Sequence, residues 1–421
     1  MSEKRNIVLI TLDSVRADHC SFMGYHRKTT PTIDKMAREG LYFENAISAS
    51  IPTPQSMFSV FTGEYPFVDF YSRDFQGWRN EFRYRATLSQ ALSKRGYFTV
   101  AVNPNPFVSK VWGFGKGFKH FHDFGYKNTG LLYRLFKWVG FSEVVPDLIL
   151  GKGTTTKCED LSQYIKKIRI NEPFFLWVLL LDTHTPYFPP RKFRKYSNFF
   201  EILKCNWAVS KEARTGKNFS PKWRKGIINA YDDCITYADN FIKELWKFLE
   251  PFDPIFVIHA DHGDCFYEHG FYYHYDPFLY EELIHVPLVI YNADVKGKID
   301  GPVSLIGMAP SILELIGEEN KFPSKSFLKE GKDWVISKVF DGNRWRIAVR
   351  MKDWKFITGQ REEDELYYLK KDPHEQENVI NEHPDFAKEM RKIIEVHIKQ
   401  ELEIRMIRNI RNKLKMNSYS T

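Results

Sequence analysis

The chain has 421 residues, and 43% of them are hydrophobic, so it is long enough to bury a sizeable core. Its formal net charge of +8 fits an anionic substrate or surface, but no zinc-finger or RNA-recognition signature points to nucleic acid as a partner. The five cysteines are scattered and form no Cys-x-x-Cys pair, which argues against a disulfide framework. Because no secretory signal precedes the first strand and no apolar run is long enough to span a bilayer, we expect a cytoplasmic protein.

Short apolar strands alternate with helices along the chain. In chain order we predict a strand over 6–12, helices over 31–39 and 87–95, strands over 97–102 and 174–181, a helix over 226–249, and strands over 255–259 and 286–291. Apolar strands separated by helices are typical of a parallel sheet with both faces covered. The sequence therefore predicts an α/β fold with a mostly parallel central sheet and helices on both faces.

The remaining segments suggest a division of the chain into unequal parts. We expect residues 1–320 to form the main α/β domain, with an aromatic-rich segment at 126–160 that is a packed insertion, a lid or a lipid-facing flap. Residues 321–385 are assigned to a small C-terminal α+β subdomain. Residues 386–421 have apolar residues at helical spacing among many Lys and Arg, which indicates a helix packed on the domain, an oligomer contact or a membrane-surface attachment.

Polar residues follow the predicted strands, at the edge where open parallel sheets bind their ligands. They are Asp13, Asp182, His184, Asp261 and His262. A carboxylate next to an imidazole at a strand end is a metal-ligand pair, and Gly263 would let the backbone turn sharply beneath the ion. The competing interpretation is a helix cap beside a surface histidine, and the recurrence of the pattern at Asp13 and Asp261 weakens it.

Two further segments carry candidate catalytic groups. Residues 51–56 place hydroxyls at the start of a helix, where backbone N–H groups stabilise an anion; the alternative is a simple N-cap. His184 follows a strand and could protonate a leaving group or bind a charged oxygen, with a hydrogen-bonded structural histidine as the alternative.

The order of these motifs resembles the sulfatase family of the alkaline phosphatase superfamily, from residue 6 to about residue 380. The similar segments are, in order, Asn6 to Asp18, Thr30 to Asp34 with Gly40 to Ala46, Ser56 to Gly63, Asp182 to Tyr187, Asp261 to Leu288, Val303 to Leu313, and Glu365 to Asn378. Any one of these motifs is weak, but their shared order makes chance an inadequate explanation. The resemblance implies an alkaline-phosphatase-like fold and metal-dependent chemistry on an anionic ester.

The nucleophile position is the main departure from the family. Family sulfatases carry a Cys or Ser that is oxidised to formylglycine, and the register set by Thr62 assigns that place to Thr53 rather than to Ser50 or Ser56. Threonine cannot become formylglycine, and a sulfated threonine has no simple route of release, whereas a phosphorylated threonine is released by in-line attack. The sequence therefore favours phosphoester chemistry; a sulfatase with an unmodified nucleophile and a non-catalytic anion-binding relative are the alternatives.

Other departures remove positive charge from the expected site. Met57 replaces the motif arginine, Asn103 and Asn105 stand in the loop that carries a lysine in the family, and Ser14 replaces a second aspartate. Fewer cations suit a group with one negative charge, such as a phosphodiester or a sulfate monoester. Asn103 or Asn105 would then donate neutral hydrogen bonds to the anion, or else would only form a turn.

The resemblance also implies a role for each candidate residue. One divalent metal is expected, and an imidazole ligand favours manganese or zinc, with calcium as the third option. Its ligands are assigned to Asp13, Thr53, Asp261 and His262. Catalytic roles are assigned to Thr53, His184 and His274, and contacts with the substrate to Asn103, Asn105, Tyr187 and His269. The expected substrate is a small-molecule or lipid-like anionic ester, hydrolysed or transferred, and both peripheral membrane contact and a homo-oligomer are compatible with the sequence.

Overall fold

The computed structural model describes residues 4–66, 75–124, 158–215, 219–274, 277–329, 331–341, 344–360 and 363–417. Its strands are β1 Ile7–Leu12, β2 Leu41–Ile47, β3 Phe98–Asn103, β4 His120–Asp123, β5 Phe174–Leu180, β6 Ile255–Ala260, β7 Cys265–Phe266, β8 Tyr272–Tyr273, β9 His285–Val286, β10 Leu288–Tyr291, β11 Gly297–Ser304, β12 Trp334–Asp341, β13 Arg344–Met351, β14 Trp354–Gly359 and β15 Glu365–Tyr368. Its helices are α1 Pro31–Glu39, α2 Thr53–Thr62, α3 Phe75–Arg83, α4 Leu88–Lys94, α5 Cys158–Ile165, α6 Phe199–Thr215, α7 Arg224–Leu249, α8 Glu281–Ile284, α9 Met308–Leu315 and α10 Pro384–Asn417. The predicted insertion at 126–160 lies almost entirely outside the described residues.

The central sheet has the strand order β11-β2-β10-β6-β1-β5-β3-β4, with β9 beside β2. From β6 to β4 neighbouring strands are parallel, whereas β10 is antiparallel to both β6 and β2. Every residue of β1, β5 and β6 is buried, as expected for strands that are covered on both faces. The prediction of a mostly parallel sheet covered by helices is confirmed.

The predicted strand over 286–291 is interrupted in the structure. Pro287 separates β9 from β10, because proline has no N–H to donate to a β-ladder. The Pro287 carbonyl still accepts the N–H of Ala260, at 3.3 Å. The interrupted strand therefore remains beside the end of β6. The last residue of β6, Ala260, directly precedes Asp261.

A four-stranded antiparallel sheet, in the order β12-β13-β14-β15, follows the central sheet in the chain. The first turns of α10 pack on this sheet and bury Ala387, Met390 and Ile394 in one apolar cluster with Ile347 and Phe356. The expected small C-terminal subdomain is confirmed, while its boundaries at residues 320 and 385 remain predictions.

The structure also bears on two expectations about chemistry and location. The five cysteines are buried free thiols, in agreement with the expected lack of a disulfide framework. No helix in the described part of the chain is both long enough and apolar enough to cross a membrane.

The stability of the fold depends on the completely buried strand β1. We expect Leu9→Ala to lower the free energy of unfolding by about 2–5 kcal/mol, because truncating a fully buried leucine leaves a cavity. The matched control is Leu402→Ala on the exposed part of α10, for which we expect a change within about 0.5 kcal/mol. Chemical denaturation followed by circular dichroism measures both, and equal losses in the two variants would contradict the burial argument.

Candidate active site

The parallel pairing of β1 with β6 brings two aspartates together. Leu12 pairs with Ala260 at the ends of these strands, and the next residues in the chain are Asp13 and Asp261. Both side chains are completely buried. One oxygen of each carboxylate and one ring nitrogen of His262 lie within 4.8 Å of one another. The register of the central sheet therefore creates a cluster of three potential metal ligands.

The hydrogen bonds of the two carboxylates leave one oxygen without a partner. Asp261 Oδ1 accepts the backbone N–H of Ser14 at 3.0 Å and that of His262 at 2.9 Å. Asp13 accepts the Ser14 hydroxyl at 3.0 Å and the Asn105 side-chain amide at 2.9 Å. Asp261 Oδ2 is buried and has no hydrogen-bond partner among the described residues. A buried carboxylate oxygen with no donor is suited to bind a cation.

His262 is oriented so that one ring nitrogen faces this cluster. Its Nδ1 lies 2.9 Å from the Gly263 carbonyl, which only a protonated nitrogen can bond. In the neutral ring Nε2 is then an acceptor, and it lies 3.2 Å from Thr53 Oγ1 and 3.5 Å from Asp261 Oδ2. A side chain at Gly263 would not fit, because its Cβ would lie 2.1 Å from the Glu282 carbonyl oxygen. Asp13, Asp261 and His262 form one cluster, and Thr53 lies beside His262. The structure thus brings all four predicted metal ligands together.

The electrostatics of the cluster call for positive charge. Burial, and then the neighbouring Asp261, raise the pKa of Asp13 to about 7. Burial disfavours the charged form of His262, but Asp261 and Asp13 outweigh it and raise the pKa of this imidazole. Within the described ranges, neither aspartate forms an ion pair with a lysine or arginine. Carboxylate, hydroxyl and imidazole donors fit a divalent cation such as manganese or zinc.

Thr53 is the hydroxyl residue that faces the cluster. It is the first residue of α2, where Pro54 has no N–H and the N–H groups of Gln55 and Ser56 both donate to the Pro52 carbonyl, at 3.0 and 3.1 Å. Ser50 instead donates to the Lys338 carbonyl at 2.6 Å, and Ser56 donates to the Asp261 carbonyl at 2.7 Å. Two of the three candidate hydroxyls are therefore held by the backbone, which supports the register that selects Thr53.

The loop that precedes α2 is held by the C-terminal sheet. The Lys338 N–H of β12 donates to the Ala49 carbonyl at 3.0 Å, and the Ser337 hydroxyl donates to the Ser48 carbonyl at 2.5 Å. With the bond from Ser50 to Lys338, three consecutive loop residues are bonded to one strand. The small sheet therefore helps to position the start of α2.

His184 and His274 lie beside His262. The ring centroid of His274 is 4.3 Å from that of His262 and 5.1 Å from that of His184. His274 Nδ1 lies 2.5 Å from Asp264 Oδ1, and Tyr187 donates its hydroxyl to the other oxygen of Asp264. This arrangement keeps a proton on His274 Nδ1. Burial lowers the pKa of both His184 and His274, although Asp264 opposes the shift in each.

The two asparagines of the loop after β3 have different surroundings. The Asn103 amide donates to the carbonyls of Asn105 and Val108, and its oxygen accepts the Asn105 N–H, so these bonds all lie within one turn. Asn105 instead donates to Asp13 Oδ2. The turn-forming alternative accounts for Asn103, and Asn105 orients a predicted metal ligand. Met57, in the place of the family's arginine, is buried in the hydrophobic core.

The other two predicted substrate contacts have internal partners in the structure. His269 Nε2 lies 3.2 Å from Glu282 Oε2, and its ring stacks on Tyr280 with centroids 3.6 Å apart. Tyr187 is completely buried behind Asp264. These internal contacts indicate that His269 and Tyr187 support neighbouring residues of the site. Direct contact with a substrate remains a prediction for both residues.

Asp264 is the residue of this site that the sequence analysis missed. It completes the segment Asp261-His262-Gly263-Asp264, and that second carboxylate was the available signal. Its partner His274 is ten residues further on, across the β7–β8 hairpin, so that the pairing depends on a turn that the spacing does not specify.

Known proteins share sequence and fold with this chain. The family model described as Sulfatase matches residues 5–318. The arylsulfatase of Clostridium perfringens (strain 13 / Type A) is 26% identical over 93% of this chain and 94% of that protein. Phosphatidylethanolamine transferase Mcr-1 of Escherichia coli is 22% identical over 75% of this chain and 54% of its own length. The crystal structure of phosphonate monoester hydrolase of Agrobacterium radiobacter has the same fold, with a TM-score of 0.69, 16% identity and coverage of 95% of this chain and 96% of that chain.

Metal binding tests the ligand cluster directly. We expect Asp261→Asn to abolish stoichiometric manganese or zinc binding, because it removes the oxygen that has no other partner. In metal-free protein the same change relieves repulsion with Asp13, so the melting temperature of that form should stay constant or rise. Elemental analysis and thermal unfolding of the metal-free protein measure the two effects.

The matched control is Asp239→Asn. Asp239 is also a buried aspartate, but it accepts the backbone N–H groups of Thr32 and Ile33. We expect this variant to keep its metal while losing stability. Full metal content in Asp261→Asn would contradict the ligand assignment.

Proposed function

Because the chain belongs to the sulfatase family, we propose that it is a metal-dependent hydrolase or transferase that cleaves a phosphodiester-like ester through Thr53. One observation carries this proposal: the hydroxyl beside His262 at the start of α2 belongs to a threonine. A threonine cannot be oxidised to the aldehyde that lets formylglycine enzymes release sulfate. A covalent phosphothreonine, by contrast, is released by in-line attack on phosphorus.

The charge of the site supports a substrate group with a single negative charge. The place of the family's arginine is taken by Met57 in the core, and the loop after β3 has the uncharged Asn103 and Asn105 in place of a lysine. A phosphodiester has one negative charge, whereas a phosphomonoester has nearly two at neutral pH. A site poor in cations therefore discriminates in favour of the diester.

The proposed chemistry assigns a task to each residue around Thr53. A divalent metal bound by Asp13, Thr53, Asp261 and His262 would lower the pKa of the Thr53 hydroxyl and neutralise a substrate oxygen. Thr53 Oγ1 attacks phosphorus in line, and the bond to the leaving oxygen breaks.

The two neighbouring histidines complete the reaction. His184, in its imidazolium form, donates a proton to the leaving oxygen and becomes neutral, and His274 assists from the adjacent position. Asp264 keeps the proton of His274 on Nδ1, so that Nε2 is the nitrogen left for the substrate. Water or an acceptor hydroxyl then attacks phosphorus and gives its proton to the neutral His184, and the bond to Thr53 breaks with the electron pair passing to Oγ1.

Relatives favour both the proposal and its main rival. Mcr-1 is by name a phosphatidylethanolamine transferase, and a protein with the same fold is by title a phosphonate monoester hydrolase. The arylsulfatase of Clostridium perfringens matches 93% of this chain, whereas Mcr-1 matches 75%. A sulfatase with an unmodified nucleophile is therefore the second candidate function.

A panel of esters separates these two functions. We expect protein loaded with manganese or zinc to hydrolyse bis-para-nitrophenyl phosphate at least about tenfold faster than para-nitrophenyl sulfate, because only the phosphothreonine intermediate has a direct route of release. Absorbance of released nitrophenol measures both rates at equal concentration. Faster cleavage of the sulfate ester would favour the sulfatase, and no cleavage of any ester by metal-loaded protein would favour a binding protein.

The nucleophile is tested by substitutions at Thr53. Thr53→Ala should lower kcat by about 10³-fold or more with the fold intact, because it removes the attacking oxygen. Thr53→Ser keeps that oxygen and should retain measurable turnover. The matched control is Thr62→Ala at the far end of the same helix, whose hydroxyl bonds to the Phe58 carbonyl and which should keep near-normal turnover. Full activity in Thr53→Ala would refute the assignment.

The proton-donor role of His184 predicts a dependence on the leaving group. His184→Ala should reduce turnover of an alkyl phosphodiester by about 10²-fold or more, because an alkoxide needs protonation as it leaves. The same variant should cleave a para-nitrophenyl diester with a smaller loss, since nitrophenolate leaves without a proton. Parallel kcat measurements on the two esters give the ratio, and equal losses on both would point to substrate binding as the role of His184.

A further inference from the structure

The positive charge of the chain is concentrated in one segment. Residues 191–225 contain eleven basic and two acidic residues, an excess of nine, whereas the formal net charge of the whole chain is +8. The rest of the protein is therefore close to neutral. Nine of these basic residues have a described burial, and all of them except Arg194 are exposed. The segment thus presents a strongly basic surface, which fits an anionic partner.

Helix α6 lies within this segment and exposes large aromatic side chains. Phe199 is 37% exposed, Phe200 is 79% exposed, and Trp207 is 47% exposed, whereas Ile202 and Val209 on the inner side of the helix are completely buried. The rings of Phe199 and Phe200 are in contact, with centroids 5.8 Å apart. Large apolar side chains that are exposed together in this way mark an interaction surface more often than isolated ones do.

The outermost face of α6 combines two aromatic residues with two lysines. At 100° per residue these four side chains fall within a sector of about 60° around the helix axis. They are Phe200, Lys204, Trp207 and Lys211, all of them exposed. The two acidic residues of the segment, Glu201 and Glu212, fall about 60° or more outside this sector. The face that points furthest into the solvent is therefore aromatic and basic, with no acidic residue on it.

Lysines lie against the aromatic rings of this surface. The Lys211 Nζ is 4.9 Å from the centroid of the Trp207 ring. Trp223, just before α7, has the Nζ of Lys204 at 5.7 Å and that of Lys222 at 4.5 Å from its ring. Lys204 therefore connects the outer face of α6 with Trp223, and the aromatic and basic side chains form one continuous surface.

The combination of charge and exposed rings identifies the partner. Charge alone would fit an anionic membrane, a nucleic acid or an acidic protein. Aromatic side chains with an apolar body, flanked by lysines whose apolar stems end in a charge, are typical of the interface of a bilayer, where rings lie at the level of the headgroups and ammonium groups reach the phosphates. Stacking of nucleobases is disfavoured, because the protein's own lysine already lies over the Trp207 ring.

We propose that the outer face of α6 docks on the surface of an anionic lipid bilayer. Phe200 and Trp207 insert among the headgroups, and Lys204 and Lys211 bind lipid phosphates. Helix α6 lies parallel to the bilayer, and the other exposed cations of residues 191–225 add to the electrostatic attraction.

The docking helix is connected to the candidate active site. Asn206, next to Trp207 in the chain, accepts the backbone N–H of Tyr187 and donates to its carbonyl, both at 3.2 Å. Tyr187 in turn donates its hydroxyl to Asp264. Docking would therefore hold the candidate active site at a fixed position relative to the bilayer. The inference does not depend on the proposed reaction, because none of the docking residues belongs to the cluster around Thr53.

Vesicle flotation of the full chain tests the docking. We expect the protein to float with vesicles of phosphatidylcholine and phosphatidylglycerol, to bind vesicles of phosphatidylcholine alone at least about tenfold more weakly, and to leave the anionic vesicles in high salt. Phe200→Ser with Trp207→Ser should weaken binding to anionic vesicles by about tenfold or more, because the inserted rings are lost. Lys204→Gln with Lys211→Gln should weaken it by a similar factor, because two charges next to the phosphates are lost.

The matched control for charge is Lys321→Gln with Lys329→Gln, two exposed lysines outside the basic segment, and the control for apolar surface is Val396→Ser on α10. These variants should float as the unmodified chain does, and circular dichroism should show the same fold in every variant. Failure to float with anionic vesicles, flotation that neither test pair weakens, or equal losses in the controls would overturn the proposal. Retention on heparin or DNA without flotation would also overturn it, and would identify a soluble polyanion as the partner.

Discussion

The site depends on two carboxylates that the central sheet places side by side inside the protein. The pairing of Leu12 with Ala260 fixes the ends of β1 and β6, so Asp13 and Asp261 leave the sheet at the same point. Two buried like charges oppose each other and are costly without a compensating cation. The rest of the site follows from that constraint. Backbone N–H groups occupy Asp261 Oδ1, Asn105 holds Asp13, and the His262 ring and the start of α2 enclose the remaining side.

Much of this arrangement could be predicted from the sequence, and the physical reason is the parallel sheet. Strands such as β1 and β6 are continuous apolar runs, so their ends are visible, and parallel strands bring their carboxyl ends to one edge. Residue spacing within one motif was equally informative, because counting from Thr62 selected the hydroxyl that the structure places beside His262.

The parts that could not be predicted depend on contacts between distant segments. Nothing local in the sequence indicates that Asn105 would bond to Asp13, or that Asp264 would bond to both His274 and Tyr187. The break at Pro287 was visible as a proline, but β9 pairs with β2 and β10 lies between β2 and β6, and the hydrophobic pattern did not reveal β2 as a strand. These contacts could not be predicted because the partners are far apart in the chain, or are joined by turns whose geometry the sequence does not specify.

The bonds from β12 to residues 48–50 have a consequence for how the chain is organised. The family match ends at residue 318, which would suggest a complete unit followed by an appendage. Yet the loop that leads into α2 is held by a strand from beyond that limit. The C-terminal sheet is thus a structural component of the candidate active site. Insertions along the edge that β12 presents to this loop would therefore displace the start of α2.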